Sequence, residues 1–329
     1  MTDTIAVLGS NSFSGASYAK YLLAQGKRVI AISRSEEPVD ALLPYKWVDH
    51  SNLTFHQLDL NKDLDAIEAL LDKYKVPTVV NFAAQSMVGQ SWDWPEHWFM
   101  TNAVSTIKFH NRLRHKDYLD RYVHISTPEV YGSMSGFVAE HDHYRPSTPY
   151  AVSRAAADLS LQTFFDVHQF PVVSTRAANV YGPGQQLYRI IPKTIMSILL
   201  GQTLPLHGGG HSERSFIHID DVSSATQRIC EQGTLGESYH ISTERTVTIR
   251  ALVEMICDLM HVDIHNVCEI TEDRPGKDTA YLLDATKLRT QLGWCDQISL
   301  ESGIEQTLNW VNTHFDVLKH QPLSYEHKE

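Results

Sequence analysis

Short apolar runs alternate along the first half of the chain with longer stretches in which apolar positions recur every third or fourth residue. The runs are Ile5–Leu8, Val29–Ile32, Leu53–Leu58, Val79–Phe82, Tyr122–Ser126 and Val172–Thr175. The longer stretches cover Ser14–Gln25, Leu64–Tyr74 and Thr101–Leu113, and another follows Tyr150. A continuously apolar strand must be covered on both faces, whereas the longer spacing gives a helix one apolar stripe. Their alternation predicts βαβ units and a parallel sheet flanked by helices. Beyond Asn179 the rhythm breaks. Gly, Pro and polar residues thicken through Gln202–Ser215, and mixed helix and short strand come after. Two units are expected: one over residues 1–178, rejoined by 215–243, and a smaller lobe over 179–214 and 244–329.

Composition changes this picture little. With 329 residues, 42% hydrophobic and 20% charged, the chain has the balance of an ordinary globular protein. A net charge of −11 and scattered Lys and Arg argue against nucleic acid or an anionic membrane as partner, since either needs a basic face. A small anionic ligand stays open, because a few arginines and backbone N–H groups can hold a phosphate. Cys230, Cys257, Cys268 and Cys295 form no C-x-x-C pair and read as thiols of a reducing compartment. With no leader-like segment and no apolar run of membrane-spanning length, the expectation is a cytoplasmic protein. His141-Asp142-His143 has metal-like spacing but no further ligands nearby, so no metal is expected.

The first chemical signal is Gly9-Ser-Asn-Ser-Phe-Ser-Gly15, between the first run and the first helical stretch. Glycines there permit a tight turn and close approach of a pyrophosphate, which then sits on the helix N-terminus. The spacing is Gly-x-x-Gly-x-x-Gly with Ser12 at the middle position, and Phe13 and Ser14 complete the loop. Its place after the first strand predicts an α/β fold of Rossmann type, a doubly wound parallel sheet with a smaller mixed α/β lobe on the C-terminal side. Where an NAD-selective fold offers Asp or Glu to the ribose, the second run ends in Ser33-Arg34-Ser35, which suits a 2′-phosphate. The cofactor expected is NADP, with NAD as the alternative. Asp59, after the third run, is placed either to reach the adenine or to cap the next helix.

A second signal lies further on. Ser126-Thr-Pro-Glu-Val-Tyr-Gly132 ends a strand, and Pro149-Tyr-Ala-Val-Ser-Arg154 opens a helix. Tyr150 and Arg154 share one helix face, and a cation beside a phenol lowers its pKa towards use as a base. Thr127 can hydrogen-bond the same substrate hydroxyl, and Glu129 supplies a carboxylate.

On these residues the sequence resembles the extended short-chain dehydrogenase/reductase family, and within it the nucleotide-sugar 4,6-dehydratases of dTDP-glucose and GDP-mannose type. Other stretches carry the resemblance along nearly the whole chain: Asn81-Phe-Ala-Ala-Gln-Ser-Met-Val88, Asn102, Arg176-Ala-Ala-Asn-Val-Tyr-Gly-Pro183, Ile191-Pro192, and Arg214-Ser-Phe-Ile-His-Ile-Asp-Asp221. Asp273-Arg-Pro-Gly-Lys-Asp278, Asp284-Ala-Thr-Lys287 and Leu292-Gly-Trp294 come after them. The resemblance implies cofactor contacts from Leu60, Ala83, Ala84, Gln85 and Asn102 besides the loop, the Ser33–Ser35 turn, Asp59, Tyr150 and Arg154. It implies a nucleotide-diphosphate hexose as substrate, touched by Ser86, Thr127, Glu129, Asn179, Lys193, Arg214 and Arg274, with Arg176 bracing the sheet edge instead. It also implies C4 oxidation with Tyr150 as base, proton removal from C5 by Glu129, loss of the C6 hydroxyl and return of hydride to C6. A homodimer paired through the helices after Trp98 and Tyr150 is expected as well.

Two positions depart from the family. Tyr-x-x-x-Lys is here Tyr150-x-x-x-Arg154, which keeps the charge but changes its geometry. The polar residue that precedes the glutamate in the dehydratases is Pro128, which has no proton to give. Water, Glu129 acting twice or Ser86 would have to supply it. A C4-epimerase or related isomerase is the competing expectation, followed by a non-catalytic nucleotide-sugar-binding protein.

Overall fold

The computed structural model describes residues 4–133, 136–272 and 282–328. Strands β1 (Thr4–Leu8), β2 (Arg28–Ser33), β3 (Leu53–Gln57), β4 (Thr78–Asn81), β5 (Arg121–Ile125) and β6 (Val172–Ala177) fall on the six predicted runs. Two short strands come next, β7 (Asn179–Tyr181) and β8 (Phe216–His218), and then β9 (Ser238–Ile241). The main sheet has seven strands in the order β9-β6-β5-β4-β1-β2-β3. Every neighbouring pair in it is parallel. The chain winds outward from β1 to β3 and then returns to β4 on the other side of β1. That reversal opens a crevice at the carboxyl ends of β1 and β4, where ligands bind in such sheets.

Alternate residues of the strands feed two cores. On one side Val7, Ala31, Val80, Val123 and Val173 pack with Tyr18 and Leu22 of α1 (Phe13–Ala24). On the other, Ala6, Leu8, Ile30, Val79 and Val172 meet Ile67 and Leu71 of α2 (Leu64–Tyr74), and Phe109 and Leu113 of α3 (Thr106–Leu113). Leu161 of α4 (Pro149–His168) closes the same side. Burial on both faces is why these strands read as unbroken apolar runs.

The helix expected over Thr101–Leu113 differs in detail. A short helix over Pro95–Phe99 leads into a π-helical turn over Met100–Ser105 before α3 begins. The Thr106 hydroxyl donates to the carbonyl of Thr101 inside this wider turn, at 2.9 Å. Such a bulge re-aims one side chain, here Asn102.

Residues from 190–200, 249–259 and 300–318 share the core of a second lobe, whereas Leu288, Leu292 and Trp294, expected in that lobe, pack with the main-sheet core on the α1 side. Ile191, Ile195 and Met196 of α5 (Ile190–Leu200) pack with Leu252 and Ile256 of a later helix and with Ile304 and Val311 of the helix Leu300–Leu318. Strand β8 pairs with β7, whereas β9 joins the main sheet beside β6. The last helix approaches β7 closely at Gly303, where any Cβ would collide with the Tyr181 hydroxyl.

Four buried histidines shape the response to acid. Burial lowers the pKa of His110 and His124, brings His218 to about 4, and brings His240 to about 3. Each is neutral when folded but takes up a proton below about pH 6.5 once unfolded. The unfolded state therefore binds more protons as pH falls, so stability drops below about pH 6.5 and is insensitive to these groups above it. Thermal melts from about pH 7.5 down to about pH 4.5 should show a steadily falling Tm, and a flat profile would contradict this assignment.

Candidate active site

Gly9 ends β1 with φ +75°, and a Cβ on it would lie 2.7 Å from the backbone nitrogen of Ala83. Only glycine lets the loops after β1 and β4 approach this closely. Ser12, at the middle-glycine position, caps α1: its hydroxyl accepts from the Gly15 amide at 3.1 Å and donates to the Gly9 carbonyl at 2.7 Å. The first turn of α1 carries no acidic side chain, so the positive end of the helix is left for an anion. Gly15 lies beneath the turn, since a Cβ there would collide with the Gly9 carbonyl oxygen. Asn11 pins the loop to the turn after β2 by donating to the Ser35 and Glu36 carbonyls, a role that its own letter gave no sign of.

Beside this loop lies a cleft of about 190 Å³, lined by Gly9, Ser12, Ser33, Arg34, Ser35, Asp59, Leu60, Ala83, Ala84 and Gln85, with Asn61 and Thr101. Asp59 accepts from the Asn61 amide at 2.8 Å, and the N-cap position of α2 is Asp63, whose carboxylate makes no capping bond and accepts from the Asp59 amide at 2.8 Å instead. Arg34 donates to the backbone carbonyl of Lys328 at 3.0 Å. Asn102, expected among the cofactor contacts, is fully buried behind the cleft and does not line it. The π-turn aims its amide at the Gln85 backbone, which it holds from both sides at 2.8 and 2.9 Å. It is a brace for the loop. A glycine cradle, a helix N-terminus free of acid and a cleft at the switch point together fit a dinucleotide.

A larger cavity of about 710 Å³ adjoins the cleft and shares Ser12, Phe82 and Ala84 with it. It brings together Ser86, Thr127, Glu129, Tyr150, Arg154, Asn179, Lys193 and Arg214. Phe13 and Ser14 also face it. Arg214 additionally donates to the Glu213 carbonyl at 2.7 Å. Arg274 and the surrounding signature Asp273–Asp278 lie outside the described residues. The sequence reading missed Arg189, Tyr188 and Gln185 on this wall, whose signal is the glycine-rich turn after β7.

Thr127 is extended (φ −144°, ψ 146°), as the following proline demands, and caps a tight turn over Pro128–Tyr131. Its hydroxyl accepts from the Glu129 amide at 3.3 Å. Opposite, Thr148 caps α4 through the Ala151 amide, with Pro149 at the first helical position, so Tyr150 sits at a well-defined helix start. Burial raises the Tyr150 phenol above its ordinary pKa and Glu129 raises it further, while Arg154, Thr127 and Arg189 pull it down. The net direction is upward, which corrects the expectation drawn from the Tyr150–Arg154 spacing. The reason is geometric as well as dielectric. The buried Arg154 guanidinium donates to the Ile125 carbonyl and lies 3.4 Å from His124, spending part of its fork on the end of β5.

A buried polar layer supports this arrangement. Asp158, two turns beyond Tyr150 on α4, accepts from Ser126 at 2.6 Å and from Arg176 at 2.8 Å, with His124 at 3.2 Å. Arg176 also donates to the hydroxyls of Tyr131 and Tyr144. It ties β6, an inner strand, to α4 through Asp158 and does not line the cavity.

Fold and site define an extended short-chain dehydrogenase/reductase. The family model for GDP-mannose 4,6 dehydratase matches residues 7–307. A dTDP-glucose 4,6-dehydratase of Haemophilus influenzae is 30% identical over 328 residues, covering 93% of this chain and 97% of that protein. DesIV, a dTDP-glucose 4,6-dehydratase from Streptomyces venezuelae solved with NAD bound, superposes with a TM-score of 0.88 at 30% identity, covering 95% of this chain and 98% of that one. A UDP-glucose 4-epimerase from Thermotoga maritima, at 24% identity and a TM-score of 0.86 over 95% and 99% of the two chains, shows the same fold. The chain belongs to the GDP-mannose 4,6-dehydratase family of these enzymes.

The pKa balance at Tyr150 makes a testable prediction. Because Glu129 holds the phenol up, Glu129→Gln should move the rise of hydride transfer with pH towards lower pH. Single-turnover formation of reduced nicotinamide, followed across pH with a nucleotide-hexose, measures it. An unmoved profile would show that the carboxylate does not act on the phenol.

Proposed function

We propose that this chain is a nicotinamide-dependent nucleotide-sugar 4,6-dehydratase that converts an NDP-hexose into its 4-keto-6-deoxy form. One observation carries the reading: Thr127, Glu129 and Tyr150 line a single cavity that also holds Lys193, Arg189 and Arg214 and opens onto the dinucleotide cleft. A sugar held against the first group and a diphosphate against the second would fill such a space. The printed names of the relatives make a dTDP-hexose the first donor to test.

When bound, the dinucleotide supplies a hydride acceptor that later gives the hydride back. The protein's part is proton traffic. Tyr150 takes the C4 hydroxyl proton while Thr127 orients that hydroxyl, leaving a ketone that acidifies C5–H. Glu129 removes the C5 proton. Pro128 has no proton to donate, so we assign the acid role to the same carboxyl group: protonated Glu129 returns its proton to the C6 hydroxyl, which leaves as water. Hydride return to C6 then leaves C5 to take up a proton, and the one Tyr150 accepted from the C4 hydroxyl closes the balance, so the carboxyl group acts twice and both side chains are restored. Pro128 also favours a second reading, a C4-epimerase, whose product keeps the substrate's mass.

Purified protein incubated with dTDP-, UDP-, GDP- and CDP-hexoses, with products read by mass spectrometry, separates these outcomes. Loss of one water establishes the dehydratase, and conversion at constant mass the epimerase. Tyr150→Phe should lower turnover by about 10²–10⁴-fold, the range for a lost general base. Glu129→Gln should stall the reaction after C4 oxidation, and full dehydration by that variant would remove Glu129 from the mechanism.

We also propose a cytoplasmic homodimer. Met100, Val104, Val152 and Leu159 expose apolar side chains on the two helical segments expected to pair. Val152→Asp with Leu159→Asp should halve the mass measured by light scattering, whereas a monomeric parent protein would refute the pairing.

A further inference from the structure

The segment after the last helix leaves the second lobe and crosses to the nucleotide-binding unit. Leu323 still packs on the second-lobe core. Tyr325 then meets Tyr188 on the wall of the larger cavity, ring centroids 5.6 Å apart and nearly perpendicular. His327 stacks nearly parallel to Trp94, His97 and Trp98, at 4.8, 5.1 and 5.0 Å. Its Nε2 lies 2.8 Å from His97 Nδ1. Aromatic stacks of this kind hold a segment of irregular backbone in place.

The next residue, Lys328, bears on the cofactor. Its carbonyl oxygen accepts from Gln85 Nε2 at 2.7 Å and from the Arg34 guanidinium at 3.0 Å. Gln85 lies beyond β4 and Arg34 beyond β2, and these strands flank β1 on either side. Both residues line the dinucleotide cleft. One oxygen atom bonded to both therefore bridges the cleft above the glycine turn.

We propose that residues 322–328 form a strap across the dinucleotide cleft that sets the cofactor preference, by directing Arg34 to the Lys328 carbonyl in place of a ribose 2′-phosphate. The inference rests on the assignment of this cleft to a nicotinamide dinucleotide. Arg34 at the end of β2 is the side chain from which the sequence predicts NADP. With the strap seated, one donor of the Arg34 fork is taken by the Lys328 carbonyl, and a 2′-phosphate would bring negative charge against that same carbonyl oxygen. An unphosphorylated ribose meets no such conflict, so the seated strap favours NAD.

Binding constants for NAD and NADP, measured by titration calorimetry without sugar substrate, test this directly. The full chain should prefer NAD. Deleting residues 322–329 should raise NADP affinity relative to NAD by about tenfold or more, the scale of a charge-assisted hydrogen bond. Adding Arg34→Ala to the deletion should erase that gain. A Tyr325→Ala, His327→Ala double variant unseats the strap without shortening the chain and should shift the ratio the same way if the deletion fails to fold. An unchanged ratio, or an equal change for both dinucleotides, overturns the proposal. Failure of every variant to bind either dinucleotide overturns the assignment of the cleft itself, and the strap with it.

Discussion

The geometry of the candidate site depends on one buried ion pair, Asp158 with Arg176. Burial alone would hold the Asp158 carboxyl protonated, but the Arg176 charge and the hydrogen bonds of His124 and Ser126 outweigh it and keep the group ionised. The pair joins three elements. Asp158 belongs to α4, Arg176 to β6, and His124 and Ser126 to β5 and its end. Taking two charges out of water costs about as much as their attraction returns, so such a pair adds little net stability. Its effect is positional. Once α4 is fixed in rotation and height against β5, Tyr150 at the helix start must face Thr127 at the strand end, and Arg154 between them must reach the Ile125 carbonyl. Losing either charge strands the other, at about 3–5 kcal/mol for pairs of this kind.

This dependence explains what could be read in the sequence and what could not. Five of the six strands were legible because burial on both faces writes them as apolar runs, whereas the edge strand β3 is only half-buried and alternates apolar with polar positions. The turn at Gly9 was legible because the close approach to Ala83 forbids a side chain. Ser12 also becomes intelligible as a cap that a glycine could not provide. The direction of the Tyr150 pKa was not legible, because helical spacing records that Arg154 is near but not where its fork points or how dry the phenol is. The bracing role of Asn102 was not legible for a related reason: a π-turn leaves no periodic trace, yet within it that amide is committed to the backbone of Gln85. The bond between Arg34 and Lys328 joins residues 294 positions apart through an irregular segment, and no local pattern encodes such a contact.

The departure at Pro128 shows that a change severe for chemistry can be silent for the fold. At the first position of a tight turn a missing N–H costs nothing, since that amide has no partner within the turn. The proline also favours the extended backbone at Thr127 that lets its hydroxyl cap Glu129. The turn therefore holds Thr127 and Glu129 as firmly with proline as with a polar residue, and it narrows the backbone freedom of Thr127 besides. What the proline removes is a second proton donor, and that leaves a constraint on the reaction. A base and an acid on separate side chains can serve opposite faces of the sugar, whereas a single carboxyl group can serve only one. If Glu129 both takes the C5 proton and returns one to the C6 hydroxyl, hydrogen and hydroxyl must leave from the same face. The stereochemistry of elimination is thus tied, through one proline, to the number of carboxyl groups that this turn presents.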